Sequence, residues 1–347
     1  MRTITVLFYI LIALVVFGLL IFIHEGGHFI AARICGVTVN EFSIGMGPKI
    51  ISWTSKKKGT RYSLRLLPIG GFVSMDGEDE ESENPNAFCN KSIPRRMLII
   101  IAGAFMNLLL GFILMFVLVF SQKTLVSNTI GDFNDNALSS DKLMVGDTVV
   151  KVDGTSVHTG QEVAYEIMNK GDKPIDIVVI RNGDKVTLEE VSFPNFEDSG
   201  VLFGECDFKL YRDEETFGNY MKHAFFRSMS TVKMVYDSLF NLVSGKYGVD
   251  AVSGPVGVTE VVGQAAKSSF PTLIYIVSVI SINLGIFNLI PFPALDGGRF
   301  AFLAVEGIRG KPIDRRIESY VNLVGIIILF AFMAFVTFKD VIKLIFR

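Results

Sequence analysis

Cysteine, histidine and tryptophan are all scarce in this sequence: 347 residues contain three, four and one of them. The cysteines, at positions 35, 89 and 206, cannot form a disulfide framework, because the topology set out below places Cys35 and Cys89 on one side of a membrane and Cys206 on the other. An excess of either charge is also missing. Lys and Arg number 33 and Asp and Glu 35, for a net charge of -2. No basic patch is interleaved with aromatics, so nucleic-acid binding is not expected. There is no internal repeat or low-complexity tract, and no small-molecule cofactor is expected.

What abounds is apolar surface. Hydrophobic residues make up 50% of the chain and 30 residues are Phe, which excludes an ordinary soluble enzyme and fits an integral membrane protein in a lipid bilayer. Four runs reach the roughly 20 residues needed to cross a bilayer: Ile4 to Ala32, Met97 to Phe120, Thr272 to Ile290 and Val321 to Phe338. The first is too long for the apolar core of a signal peptide, and no small-residue cleavage site follows it. Arg33, Lys49, Lys56, Lys57, Lys58, Arg61, Arg65, Lys91, Arg95 and Arg96 lie between the first two runs. Arg299, Arg309, Lys311, Arg315 and Arg316 follow the third. Both loops are therefore expected on the cytoplasmic side, with the termini and the long segment from Gln122 to Pro271 outside.

Two of the four histidines fall inside the first apolar run, in His24-Glu25-Gly26-Gly27-His28. Ionisable groups cost about 2.5 to 3.5 kcal/mol each in a spanning helix, so they rarely persist there without a partner or a task. Spaced four apart, His24 and His28 share a helix face and can hold one zinc ion, while Glu25 can take a proton from water. A chance match to the pattern is the bland alternative, and the membrane context weighs against it. His158 and His223 lie in polar or amphipathic sequence and are expected to be solvated, without chemistry.

A hydrolytic zinc needs a third protein ligand. In Asn288-Leu289-Ile290-Pro291-Phe292-Pro293-Ala294-Leu295-Asp296-Gly297-Gly298 two prolines interrupt an apolar helix just before a carboxylate, and the freed backbone groups must be satisfied by protein or cavity water. Asp296 is the expected third ligand, although the same residues could simply end a helix at the interface.

Elsewhere, Val37 to Phe42, Lys49 to Trp53, Tyr62 to Leu67 and Phe72 to Met75 read as short strands of a membrane-associated sheet, followed by an acidic loop from Glu78 to Glu83. The outer segment turns to soluble patterning, with a helix expected over Gly160 to Asn169 and a hairpin at Asn182-Gly183 between Ile175 to Arg181 and Lys185 to Val191. This order resembles a PDZ domain over about Leu125 to Pro194. Apolar residues recur at helical spacing from Phe217 to Val243, giving an amphipathic helix that packs on the outer domain or lies in the membrane interface.

Taken together, His24 to Phe29, Asn288 to Arg299, Pro68 to Met75 and Ser253-Gly254-Pro255-Val256-Gly257 resemble the site-2 protease family of intramembrane zinc metalloproteases. The likeness is to its RseP/RasP-like bacterial branch with a single PDZ domain. Where that family often has Gly-Pro-x-x-Asn, this chain has Gly103-Ala104-Phe105-Met106-Asn107, keeping the asparagine and not the proline. The resemblance implies one zinc ion and cleavage of single-span membrane proteins, such as anti-sigma factors or remnant signal peptides, in a bacterial cytoplasmic membrane. It also implies an outer domain that filters out bulky ectodomains.

The expected fold is a polytopic α-helical membrane protein with four transmembrane helices, a membrane-associated β-sheet and one extracytoplasmic PDZ-like α+β domain. Its segments are 1–36 (first span), 37–96 (β region and acidic loop), 97–121 (second span) and 122–200 (PDZ-like domain). There follow 201–271 (outer region with the amphipathic helix), 272–298 (third span), 299–320 (cytoplasmic loop) and 321–347 (fourth span and tail). Asn107 and Asn288 could each stabilise an oxyanion, hold the substrate strand or simply bond between helices. Gly70, Gly71 and Phe72 are candidates to pair with an extended substrate. Two other classes remain open on the residues alone. One is a PDZ scaffold, which leaves the buried His-Glu motif unexplained; the other is a zinc or proton transporter, for which the chain lacks repeated halves.

Overall fold

The computed structural model describes residues 2–78, 80–122, 124–198, 200–246, 248 and 252–346. Asp79, within the expected acidic loop, lies outside them. The chain divides into two compact units, Met1–Leu114 with Val252–Arg347, and Met115–Ala251.

In the first unit, α1 (Arg2–Ile34) runs into a hairpin of two long strands, β1 (Val39–Thr54) and β2 (Arg61–Met75), and then into α2 (Ile93–Ser121). Both strands bend, at Gly45, Gly47 and Gly70, whose φ values of 82°, 82° and 80° suit glycine alone. Residues 41–44 consequently pair on both sides, with 71–74 and with 61–64, and 51–54 pair with the other flank of 61–64. Two strands thus make four ribs, in the order 71–75, 39–44, 61–64, 51–54. Val39, Phe42, Val73 and Met75 on one face pack with Ala31, Ala32, Ile99 and Ile100 of α1 and α2.

Among the described residues four helices are long and apolar enough to cross a membrane: Leu7–Ile34, Ile93–Ser121, Phe270–Leu289 and Arg315–Lys343. They overlie the four runs expected from sequence. The helix containing the third follows another that was not expected.

The unexpected helix covers 255–268, beginning at the Ser-Gly-Pro-Val-Gly motif; in chain order it is the fifth helix of the molecule. In the second unit β3 (Val126–Phe133), β4 (Thr148–Val152) and β5 (Thr155–Ser156) precede α3 (Gly160–Lys170). Thr159 and Glu162 form a reciprocal capping box at the start of α3. The expected hairpin follows as β6 (Ile175–Arg181) and β7 (Asp184–Val191), with Asn182 and Gly183 both at positive φ, as its tight turn requires. A second hairpin, β8 (Asn195–Asp198) and β9 (Val201–Gly204), leads to β10 (Phe208–Arg212) and the amphipathic α4 (Phe217–Val243).

The main sheet of this unit runs β10-β3-β4-β6-β7, with β5 on β4. An edge strand therefore comes from beyond residue 200, where the outer domain was expected to end. Local patterning could not reveal this, since the β10–β3 pairing is non-local. The core is Ile130, Val149, Val152, Val163, Ile167, Ile177 and Val179 with Phe208 from the added strand. Expected to be solvated, His223 is instead buried, its Nε2 2.8 Å from Asp213. His158 stacks on Phe226 at 3.9 Å.

Back in the first unit, α5 (Pro255–Ser268) and α6 (Phe270–Leu289) precede α7 (Asp296–Arg309) and α8 (Arg315–Ile345). Proline in its first turn suits α5, whose orphan N–H groups are met from another helix: Gly254 N and Gly257 N both donate to Asp340 Oδ2 of α8 at 2.9 Å. Val262 packs against Ala13, Val16 and Leu20 of α1 and Val277 of α6, so α5 belongs with those two helices and not with the segment in which it was expected. Residues 299–309, expected as a loop, continue α7, which buries Leu303 and pairs Glu306 with Arg96 of α2.

Candidate active site

His24 and His28 project from one face of α1 because 3.6 residues make a turn. Room for their rings is made by a neighbour with no side chain. A Cβ at Gly103 of α2 would lie 2.3 Å from His28 Nε2 and 2.9 Å from His24 Cε1. Gly27, between the two histidines, likewise lets α1 approach α2, since a Cβ there would meet the Ala102 carbonyl oxygen at 2.4 Å. The glycines at 27 and 103 thus set the depth at which the imidazoles sit.

Asp296 arrives from the other direction. α6 stops at Leu289, the chain turns through Ile290 to Leu295, and Asp296 opens α7. The turn is tight: a Cβ at Gly297 would meet the Ile290 carbonyl oxygen at 2.2 Å, and one at Gly298 that of Phe292 at 2.3 Å. Ala294 takes a positive φ of 74°, a conformation costly for a residue with a Cβ. Gly325 of α8 closes on the same turn, where a Cβ would lie 2.7 Å from the Pro293 carbonyl oxygen.

The result is a small triangle of donor atoms. His24 Nε2 and His28 Nε2 lie 3.2 Å apart, and each is 3.3 Å from Asp296 Oδ2. Ligands about 2.0–2.1 Å from a tetrahedral zinc are separated by roughly 3.3–3.4 Å, so the triangle has the size of one face of that tetrahedron. Asp296 Oδ2 is buried and has no hydrogen-bond partner. An orphaned buried carboxylate oxygen is expensive, and a cation between it and two imidazoles removes the cost. Among the described residues His24, His28 and Asp296 form the one such group able to hold a metal ion. The donor set fits zinc.

Behind the triangle, His28 Nδ1 is 2.8 Å from the Ile99 carbonyl oxygen, to which it donates. His24 Nδ1 meets the side-chain amide of Asn107, fully buried, at 3.3 Å. Asn107 is thus placed behind a histidine. In front lies a cavity of about 380 Å³ lined by His24, Glu25, His28, Asp296, Ile100, Glu78, Arg299 and the rib Phe72, Val73, Ser74 and Met75. Glu78 and Arg299 form an ion pair at its rim.

Of the residues expected at the site, His24, Glu25, His28, Asp296 and Phe72 line this cavity directly. Gly71 abuts it, since a Cβ there would come within 3.0 Å of Glu25 Cγ. Gly70 serves the bend, at φ 80° with Met46 beside it. Asn288 is half-buried near the end of α6 and is not among the lining residues. Sequence reasoning missed Gly103, Glu78 and Arg299. Glu78 was merged into an acidic run, and its pairing with Arg299, 221 positions away, has no local signature.

The chain is similar to known proteins over most of its length. A family model described as Peptidase family M50 matches residues 12–332. A Clostridium acetobutylicum protein, named as a candidate zinc metalloprotease, is 38% identical over 338 residues, covering 96% of this chain and 98% of that one. Zinc metalloprotease RasP of Shouchella clausii is 29% identical, covering 95% of this chain and 97% of its own length. The regulator of sigma-W protease RasP of Bacillus subtilis is also 29% identical, with the same two shares.

Proposed function

The chain is a metalloprotease of peptidase family M50, and from that premise we propose that it hydrolyses peptide bonds within the membrane-spanning segments of single-span proteins. The observation that carries this reading is the triangle of His24 Nε2, His28 Nε2 and Asp296 Oδ2, with edges of 3.2 and 3.3 Å, its two histidines on a helix able to cross a membrane. Zinc held by those three atoms would supply the Lewis acidity that polarises a scissile carbonyl and makes water acidic near neutral pH.

The remaining work falls to the chain's own side chains. Glu25 accepts the proton of the attacking water and delivers it to the leaving amine nitrogen as the C–N bond breaks. Its place in the cavity beside both histidines supports that role. His28 keeps its proton on Nδ1, bonded to the Ile99 carbonyl, which leaves Nε2 as a free donor.

The same logic applies to His24. If Nε2 binds metal, Nδ1 carries the proton and needs an acceptor, which the amide oxygen of Asn107 can provide. Amide nitrogen and oxygen are interchangeable by a flip, and a flip would give the partnerless Asn107 Oδ1 that bond. Asn107 is then a positioning residue for His24 rather than an oxyanion group.

Peptide bonds in a substrate helix are hidden in intrachain hydrogen bonds, so cleavage requires a locally extended strand. The rib from Gly71 to Met75 pairs with 39–44 on one side and borders the cavity, so it can accept such a strand by edge pairing. The second unit, with its capping-box helix and five-stranded path, supports a PDZ-like domain that now includes 208–212. It would screen substrates by the size of their outer portion. In this scheme the basic loops face the cytoplasm of a bacterial cell, and substrates include anti-sigma factors or remnant signal peptides.

Glu25→Gln is expected to abolish cleavage of a model single-span substrate while zinc content stays at one ion per chain. Asp296→Asn is expected to lose zinc as well as activity. Cleavage by the Glu25→Gln protein, or full zinc retention by Asp296→Asn, would reject the respective role.

A further inference from the structure

Two cavities meet beside the three ligand atoms. The one in front of them, of about 380 Å³, shares Glu78, Ile100 and Arg299 with a larger one of about 870 Å³. The larger is a polar cleft, walled by charged side chains of α2, α7 and α8 that include Arg96, Glu306, Arg315 and Glu318. The ion pair of Glu78 with Arg299 therefore stands at the partition between the two.

Each half of that pair is rooted in a different part of the site. Glu78 follows the rib on which substrate is proposed to lie, and its Oε2 accepts from the Met75 backbone N–H at 3.4 Å while Oε1 takes Arg299. Arg299 stands on α7 about one turn beyond Asp296. This helix is tied a second time, to α2, by Glu306 and Arg96, so the Arg299 pair can open while α7 keeps an anchor. The side chain of Glu78 is 16% exposed and that of Arg299 39%. Glu78 is the fixed partner and Arg299 the one with room to move.

Peptide hydrolysis makes charge in this confined space. The oxygen of water joins the scissile carbonyl carbon as the C–N bond breaks; the acid so formed gives up its proton and the amine takes one. A neutral bond thus becomes a carboxylate and an ammonium, and neither ion is tolerated in apolar surroundings without a partner. The geometry points to Arg299 as the binding site of the new C-terminal carboxylate, which it takes from the catalytic cavity into the polar cleft by exchanging it for Glu78. This assignment rests on the proteolytic reading above. A guanidinium suits the task, because its planar donors match a carboxylate two at a time. The exchange conserves ion pairs, since one carboxylate replaces another on Arg299 and the new ammonium takes Glu78. Uncleaved substrate brings no carboxylate to this point and leaves the pair shut, so opening follows completed hydrolysis.

The probe is a hexapeptide of alternating leucine and alanine with fluorescein at its N-terminus, ending either in a free carboxylate or in an amide. Binding to the full-length, zinc-loaded protein in detergent is read by fluorescence anisotropy, which needs no turnover. The carboxylate form is expected to bind the parent about tenfold more tightly than the amide. Arg299→Gln should remove this preference and Arg299→Lys should keep part of it. Glu78→Gln should increase it, because Arg299 loses a competing carboxylate; loss of a merely structural ion pair would give no such gain. Zinc content is measured on each sample. A preference that survives in Arg299→Gln at full zinc occupancy belongs to the metal and overturns the assignment, and so does a preference that fails to rise in Glu78→Gln. Should Arg299→Gln lose zinc, Glu78→Gln decides alone. Cleavage of a single-span substrate by the parent is followed in parallel, so failure of the proteolytic reading shows as absent cleavage and failure of the Arg299 site shows in the peptide pair.

Discussion

Glycine carries as much of the site as histidine does. His24 and His28 reach a common point only because position 103 leaves the space that a methyl group would fill 2.3 Å from His28 Nε2. Gly103→Ala is expected to displace one imidazole and lower zinc occupancy as far as Asp296→Asn does, measured by metal analysis after chelator challenge. Asn107 offers a finer test of the tautomer argument. Asn107→Leu removes the acceptor for His24 Nδ1 and should weaken zinc affinity by about 10- to 100-fold, the usual effect of losing a bond behind a metal ligand. Asn107→Asp keeps an acceptor and should retain the metal. Competition with a zinc-binding dye distinguishes the two, and equal affinity in parent and Asn107→Leu would return Asn107 to a purely interhelical role.

Among the elements, the bent hairpin of β1 and β2 is held by one carboxylate. Partial burial alone would raise the pKa of Glu41, but hydrogen bonds from Lys49, Ser63 and Arg65 outweigh it and hold the group at about 2. Its folded pKa is therefore below the unfolded value of about 4.3. The stabilisation is present above that unfolded value and is lost as pH falls from there through about 2. Hydrogen-exchange protection factors over 39–44 and 61–64 should fall across that window in the parent. In Glu41→Gln they should be lower at neutral pH and nearly independent of pH. The same reasoning by element explains α5, where a carboxylate from α8 takes the place of a local cap, so that the Ser-Gly-Pro-Val-Gly motif is a docking point for Asp340. A Cβ at Gly254 or Gly257 would lie 3.0 or 3.1 Å from that carboxylate, so a side chain at either position would press on it.

For the whole molecule, the division into two units puts the proposed metal ligands in one and the proposed PDZ-like domain in the other. All three proposed ligands, Glu25 and the cavity rib belong to the first unit, and the α3-containing sheet belongs to the second. Burying a charge in the second core, as in Val163→Asp, should destabilise that unit by several kcal/mol. Zinc content should be unchanged in this variant, while cleavage of substrates with large outer portions should rise relative to trimmed ones. Loss of zinc in Val163→Asp would show that the units are not independent. No change in selectivity would remove the filter from the proposal.

The primary structure determined the four apolar helices, the His-Glu-x-x-His face, the capping box of α3 and the Asn182-Gly183 hairpin, because each depends on residues within a few positions of one another. Asp296 was also legible, through the prolines that break α6 just before it. Tertiary structure alone decided that β10 joins the sheet of β3, β4, β6 and β7 and that α5 docks against α1 and α6. It also placed Glu78 against Arg299, Asn107 behind His24, and Gly103 where the two rings need space. Those facts depend on pairs separated by tens to hundreds of residues, where loop closure and side-chain packing rather than local pattern choose the partner.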